Sequence, residues 1–179
     1  GKLKDLNYKK VKESFKSPIT WKKEFQNKNL CPGVAGRYFK NVKNIESPKW
    51  LQDRLTAIGL RPISALVDIT NYITFDLGRP LHVYDADKVS GNLTMRLANK
   101  NEECLALNEV NYKCDSDMIV ISDDENKLHG IGGVMGGLYS GCSMETKNVF
   151  LEVALFDPVS VTKTGRKLNL QSDARYRFE

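Results

Sequence analysis

Paired thiols and paired metal ligands are both missing from this chain. The four cysteines, Cys31, Cys104, Cys114 and Cys142, lie far apart with no C-x-x-C spacing, and His82 and His129 are the only histidines. A disulfide framework belongs to an oxidising compartment, and a structural zinc site draws on closely spaced ligands, so neither is expected. The thiols read as reduced, some of them buried as small hydrophobes, and no metal is expected. No apolar run approaches the roughly 20 residues of a membrane helix, and the basic start of the chain lacks the apolar stretch of a secretory signal. A membrane partner is therefore not expected and a cytoplasmic location is. Repeats and low-complexity tracts are absent, as are the G-x-S-x-G elbow, the P-loop and H-E-x-x-H.

What is present suits one domain with a core, or a domain plus an extension: 179 residues, 41% apolar and 27% charged. The net charge of +5 is uneven, because residues 1–49 hold 13 Lys/Arg against 4 Asp/Glu and the remainder 14 against 18. A basic face attracts phosphate backbones, while a lysine-rich solvated surface needs no partner, and residues 1–28 favour the second reading. That stretch, rich in Lys and Asn, reads as a basic extension of an upstream region, with local docking at Pro18 and Trp21.

From Cys31-Pro32-Gly33 the texture changes, and residues 29–179 read as the domain proper. Val34–Val42 is strand-like. Ser47-Pro48 predicts a helix with Ser47 as N-cap, running over Lys49–Ile58 and stopping at Gly59. Pro62 predicts a second helix, with Ile63, Leu66, Val67, Thr70, Ile73 and Leu77 as its apolar face and Gly78 as its stop. Its geometry puts Asp68 and Asn71 on one side, with His82 arriving on a turn beyond. Leu93–Ala98, Met118–Ser122, Lys127–Gly130 and Val149–Ala154 read as short strands. Asp157-Pro158 opens a helix to about Leu168, and Ser172 looks like a further N-cap. A mixed α/β fold of α+β character follows, with short, largely antiparallel sheets packed against helices. The chain begins without methionine and ends about a turn after Ser172, so it is expected to be a segment of a longer protein.

Five glycines fall within the eight positions Gly130-Ile131-Gly132-Gly133-Val134-Met135-Gly136-Gly137. Met135 stands where G-x-G-x-x-G needs its third glycine, so this is no dinucleotide fingerprint. Two readings remain: tight turns with positive φ, or a ligand lying against bare backbone donors. His82 taken alone reads as a capping or core histidine, although neutral imidazole also suits positioning of water. Glu152 lies between apolar residues of a strand, where a lone carboxylate is costly unless ion-paired or turned outward.

Three motifs occur in order: Val67-Asp68-Ile69-Thr70-Asn71-Tyr72, Gly78-Arg79-Pro80-Leu81-His82-Val83-Tyr84-Asp85, and Leu151-Glu152-Val153-Ala154, with the glycine cluster ahead of the third. Together they resemble the B3/B4 region of the bacterial phenylalanyl-tRNA synthetase β subunit, over about Cys31 to Glu179. Arg79 departs from the usual Gln, Val83-Tyr84 from Ala-Phe, and Gly132 from Ala.

The resemblance implies an editing module that hydrolyses the ester of tyrosine wrongly attached to phenylalanine tRNA. It implies catalytic roles for His82, Asn71 and Thr70. It implies substrate contacts from Glu152, Gly132, Gly133 and Ala154, with Glu152 accepting the tyrosine hydroxyl. An apolar pocket shaped for phenylalanine rejects an added hydroxyl only about a hundredfold, which is why a second site is useful. Implied partners are the 3′ end of the tRNA and the synthetase α subunit in an α2β2 assembly. No cofactor is expected in this segment, ATP and magnesium being expected only for the full synthetase. The competing reading is a non-catalytic scaffold that binds tRNA or the α subunit. A free-standing deacylase is a third, more remote reading.

Overall fold

The computed structural model describes residues 8–179. Ten strands run in chain order as β1 (Trp21–Glu24), β2 (Gly33–Phe39), β3 (Leu81–Asp85), β4 (Leu93–Leu97), β5 (Glu102–Leu105), β6 (Asn111–Cys114), β7 (Ile119–Ser122), β8 (Leu128–Ile131), β9 (Met135–Gly136) and β10 (Val149–Leu155). Four α-helices accompany them among the described residues: α1 (Lys49–Ala57), α2 (Ala65–Leu77), α3 (Pro158–Lys167) and α4 (Asp173–Phe178). The strands form a five-stranded sheet in the order β1-β4-β7-β8-β9, a three-stranded sheet β2-β10-β3, and the hairpin β5-β6. All pairings are antiparallel except β1 with β4. The mixed fold with largely antiparallel small sheets is thus as expected.

One apolar core joins the two larger sheets. Tyr84, Phe150 and Ala154 from the three-stranded sheet meet Met95, Ile119, Ile121 and Ile131 from the five-stranded one. Along β10, Phe150, Glu152 and Ala154 are buried while Val153 and Leu155 are exposed, the period-2 alternation of a strand with one covered face. Burying one apolar side chain of this size is worth roughly 1.5–3 kcal/mol, so this face fixes the register of β10.

The predicted helices are present, with two corrections at their starts. Ser47 does not cap α1, whose N-cap position is Pro48 without a side-chain cap. The Ser47 hydroxyl instead donates to Asp68 Oδ2 at 2.5 Å. The second helix begins at Ala65 rather than at Pro62, because the Asp68 carboxylate also accepts from the Ile63 backbone N–H at 2.9 Å and Ser64 is extended. Ile63 and Leu77 are consequently exposed, and Asp68, Thr70 and Thr74 form the buried side of α2. A polar anchor has displaced the apolar stripe that the spacing suggested. Gly78 ends the helix in the left-handed region as expected. Asp157 and Ser172 both cap as predicted, accepting from the N–H groups of Ser160 and Arg175.

Five strands were not expected, namely β1, β3, the hairpin strands β5 and β6, and the short β9, and two of them bear on the site. Trp21–Glu24 lies within the basic stretch 1–28 and pairs in parallel with Leu93–Arg96, so the five-stranded sheet reaches back into that stretch. Leu81–Asp85 is not a turn but an edge strand, recruited by the exposed edge of β10.

Candidate active site

Strand pairing, more than sequence proximity, assembles the site. Glu152 in β10 lies opposite His82 in β3, and Tyr84 opposite Phe150. Because i and i+2 share a face, His82 and Tyr84 look the same way as Glu152 and Ala154, toward the five-stranded sheet. Between the sheets is a cavity of about 390 Å³. Its walls include Asn71, Pro80, His82, Gly133, Gly136, Glu152, Ala154 and Phe156, with Ser172 and Phe178 of α4 at the rim. The volume falls in the range of about 300–1,000 Å³ typical of small-molecule sites.

Of the seven residues singled out beforehand, five line this cavity: His82, Asn71, Glu152, Gly133 and Ala154. Thr70 and Gly132 are not among its walls. Thr70 is buried, its hydroxyl bonded to the Val67 carbonyl at 2.8 Å within its own helix. Gly132 donates its N–H to Ile119 at 2.8 Å, and a side chain there would meet Ile119 and Phe156. Gly133 has φ +72°, which only glycine adopts cheaply, and a Cβ would collide with Val161. The first reading of the glycine cluster, tight turns and close packing, accounts for both.

Glu152 is 5% exposed and has no cation paired with it among the described residues. Burial pushes its carboxyl up to about 7, against which a hydrogen bond from the Tyr84 hydroxyl to Oε2 works. His82 is neutral near pH 7, since burial and the neighbouring His129 hold its ring down to about 4. Its Nε2 is buried without a hydrogen-bond partner among the described residues, an orphan polar atom on a residue that lines the cavity. Gly136 permits this placement, as a Cβ there would lie 2.3 Å from the His82 ring.

Elements from three places hold the walls. Thr74 ties α2 to β3, accepting from the Leu81 N–H at 3.2 Å. Ser172 donates to the Val134 carbonyl at 2.6 Å and so pins α4 against the glycine-rich loop. The Asn71 side chain makes no hydrogen bond among the described residues and remains available at the rim. The described residues contain no group of three His, Cys, Asp or Glu that could hold a metal, and none of their helices is long and apolar enough to cross a membrane.

Tyr84 as the partner of Glu152 escaped the reading of the sequence, together with Met135, Gly136, Phe156 and the α4 rim. The signal for Tyr84 was available: Leu81-His82-Val83-Tyr84 has strand composition, and a strand puts residue 84 beside residue 82.

The chain belongs to the B3/4 domain family, which matches residues 30–179. Its relatives include phenylalanine–tRNA ligase beta subunits, at 53% identity in Rhodopseudomonas palustris over the whole chain and 22% of that protein. The Paramagnetospirillum magneticum subunit is 53% identical over the whole chain and 23% of its own length. The Brucella suis subunit is 58% identical over 84% of the chain and 18% of that protein. The chain therefore spans about a fifth of the length of the relatives it matches. Among solved structures, an N-terminal fragment of the phenylalanyl-tRNA synthetase beta subunit from Pyrococcus horikoshii has the same fold. The TM-score is 0.58 at 17% identity, covering 84% of this chain and 49% of that one.

Proposed function

We propose that this domain is the editing module of a phenylalanine–tRNA ligase β subunit and hydrolyses the ester of tyrosine mischarged on phenylalanine tRNA. The observation that carries the reading is the facing pair Glu152 and His82, a buried carboxylate and an unpartnered ring nitrogen on the walls of one cavity. A tyrosine ring entering the cavity gives its hydroxyl a buried acceptor in Glu152. A phenylalanine ring leaves that acceptor unpaired, at a cost of about 1–3 kcal/mol and more for a charged group. The site thus selects the amino acid that an apolar synthetic pocket rejects poorly.

Neutral His82 suits the chemistry, because an unprotonated ring nitrogen can hold the attacking water or the terminal ribose hydroxyl. Water adds to the ester carbonyl, the bond to the ribose oxygen breaks, and that oxygen leaves with a proton. The Gly133 N–H, which makes no hydrogen bond among the described residues, is a candidate donor to the carbonyl oxygen. Asn71 is in position to bind the substrate amine or ribose. The tRNA 3′ end and an α subunit are the partners this reading requires, and the domain itself needs no cofactor for hydrolysis.

Deacylation of tyrosyl- and phenylalanyl-tRNA by the full-length ligase, with and without Glu152→Ala, tests the proposal. Faster loss of tyrosine, with the preference erased in the variant, is expected. Equal and slow loss of both amino acids in the unaltered protein would leave a scaffold that binds without hydrolysing.

A further inference from the structure

The Tyr84 ring has very little freedom. It is fully buried, with the rings of His82, Trp21 and His129 around it at centroid distances of 4.4, 6.3 and 6.3 Å. Its hydroxyl donates to Glu152 Oε2. Burial and the adjacent carboxylate raise the phenol well above its ordinary value, so it stays a donor throughout the working pH range. The bond from Tyr84 is the one side-chain hydrogen bond of Glu152 among the described residues, which leaves Oε1 open, and Glu152 lines the cavity.

We infer that Tyr84 is a specificity-determining positioning residue: its fixed hydroxyl occupies Oε2 of Glu152 and presents Oε1 as the single acceptor for the hydroxyl of a substrate ring. This inference rests on the editing function proposed above and names the residue that sets its selectivity. Without the Tyr84 bond the carboxylate could rotate. Held by Tyr84, it offers one oxygen in one direction.

The same bond favours the ionised form of Glu152, which is the form that penalises an unpaired phenylalanine most. No other group facing Glu152 replaces it. His82, opposite on β3, and His129 on β8 are both held below their ordinary values by burial, and the buried Cys31 thiol ahead of β2 is raised by burial. On β2, Gly36 is the register partner and brings no charge. Lys23 acts on Cys31 and hydrogen-bonds its carbonyl at 3.2 Å.

The test is Tyr84→Phe in the full-length protein assembled with its partner subunit, alongside Glu152→Gln. Two quantities are read from pH 5.5 to 9: the ratio of tyrosyl- to phenylalanyl-tRNA deacylation, and the protonation of Glu152 by infrared spectroscopy of the carbon-13-labelled carboxyl. In Tyr84→Phe the Glu152 midpoint should rise by about one unit or more, the size of one hydrogen bond to a charged group. The tyrosyl preference at pH 7 should fall about tenfold and recover as the pH is raised, with the overall fold confirmed by an unchanged circular dichroism spectrum. If the ratio is the same as in the unaltered protein at every pH, whether or not the carboxyl titration moves, Tyr84 does not set selectivity and the inference is overturned. The editing reading survives that outcome. If Glu152→Gln keeps the preference, the carboxylate is not the sieve and this inference falls while editing stands; if the unaltered protein does not deacylate, the editing reading itself fails and this inference falls with it.

Discussion

A carboxylate buried without a cation opposes folding whenever it is ionised, and Glu152 is such a group. Its native midpoint near 7 lies above the ordinary value of 4.5. The folded chain therefore holds a proton that the unfolded chain releases, and stability falls as pH rises from about 4.5 to 7. Glu152→Gln removes this penalty. It should stabilise the chain by up to about 3 kcal/mol at pH 8 and by little at pH 4.5, read by urea denaturation at the two values. A variant no more stable at pH 8 than the parent would mean that the carboxylate is well solvated after all. The stabilised variant should lose its tyrosyl preference, which ties the instability of this residue to its use. Gly136 offers a second test at the same scale. Because a Cβ at 136 would lie 2.3 Å from the His82 ring, Gly136→Ala should push that ring out of line. Misplacement of a catalytic group by about an ångström costs on the order of a hundredfold in rate. Turnover of tyrosyl-tRNA under saturating conditions should show the loss, and normal turnover would remove His82 from the chemistry.

At the level of elements, the cavity depends on how α4 and β3 are docked. Ser172 both caps α4 and donates to the Val134 carbonyl at 2.6 Å. Ser172→Ala should cost about 1 kcal/mol for the cap and loosen the rim formed by Ala174 and Phe178. A raised KM for tyrosyl-tRNA with kcat nearly unchanged is the expected kinetic signature; a fall in kcat alone would place the effect on chemistry rather than on the rim. Elements fixed by local chemistry were legible in the sequence. Asp157-Pro158, Ser172 and Gly78 mark helix ends with their own side chains or backbone freedom, and the β-branched run at Ile119–Ile121 marks a buried strand. Elements fixed by distant partners were not. Trp21–Glu24 and Leu81–Asp85 carry modest patterns of their own, and only the free edges of β4 and β10 make them strands. The start of α2 failed for a related reason, since a long-range bond from Ser47 to Asp68 overrode the proline signal. Five of the seven candidate residues line the cavity, and motif resemblance had singled them out, whereas Tyr84 required knowing that residue 82 sits on a strand.

Across the whole molecule, the cavity between the two sheets places two perturbed groups of opposite behaviour side by side. Glu152 is raised from 4.5 to about 7 and His82 lowered from 6.5 to about 4. Between about pH 4.5 and 6.5 the native Glu152 keeps a proton that the unfolded chain loses, and the native His82 lacks one that the unfolded chain keeps. Their contributions to the pH dependence of stability have opposite signs and cancel across that window. Removing either group exposes the other. Relative to the parent, His82→Gln should add a slope of about −1.4 kcal/mol per pH unit between pH 5 and 6.5, and Glu152→Gln a slope of similar size and opposite sign. Contributions from His129 and Asp123 are common to all three proteins and drop out of the differences. Free energies of unfolding at half-unit intervals of pH would measure both slopes. Difference curves that stay flat would mean that neither group is perturbed, and the cavity would then be wet and its selectivity for a hydroxyl weak. Opposed slopes would mean that the space between the sheets is dry enough to make one unpaired hydroxyl acceptor costly, which is the physical condition that sieving tyrosine from phenylalanine requires.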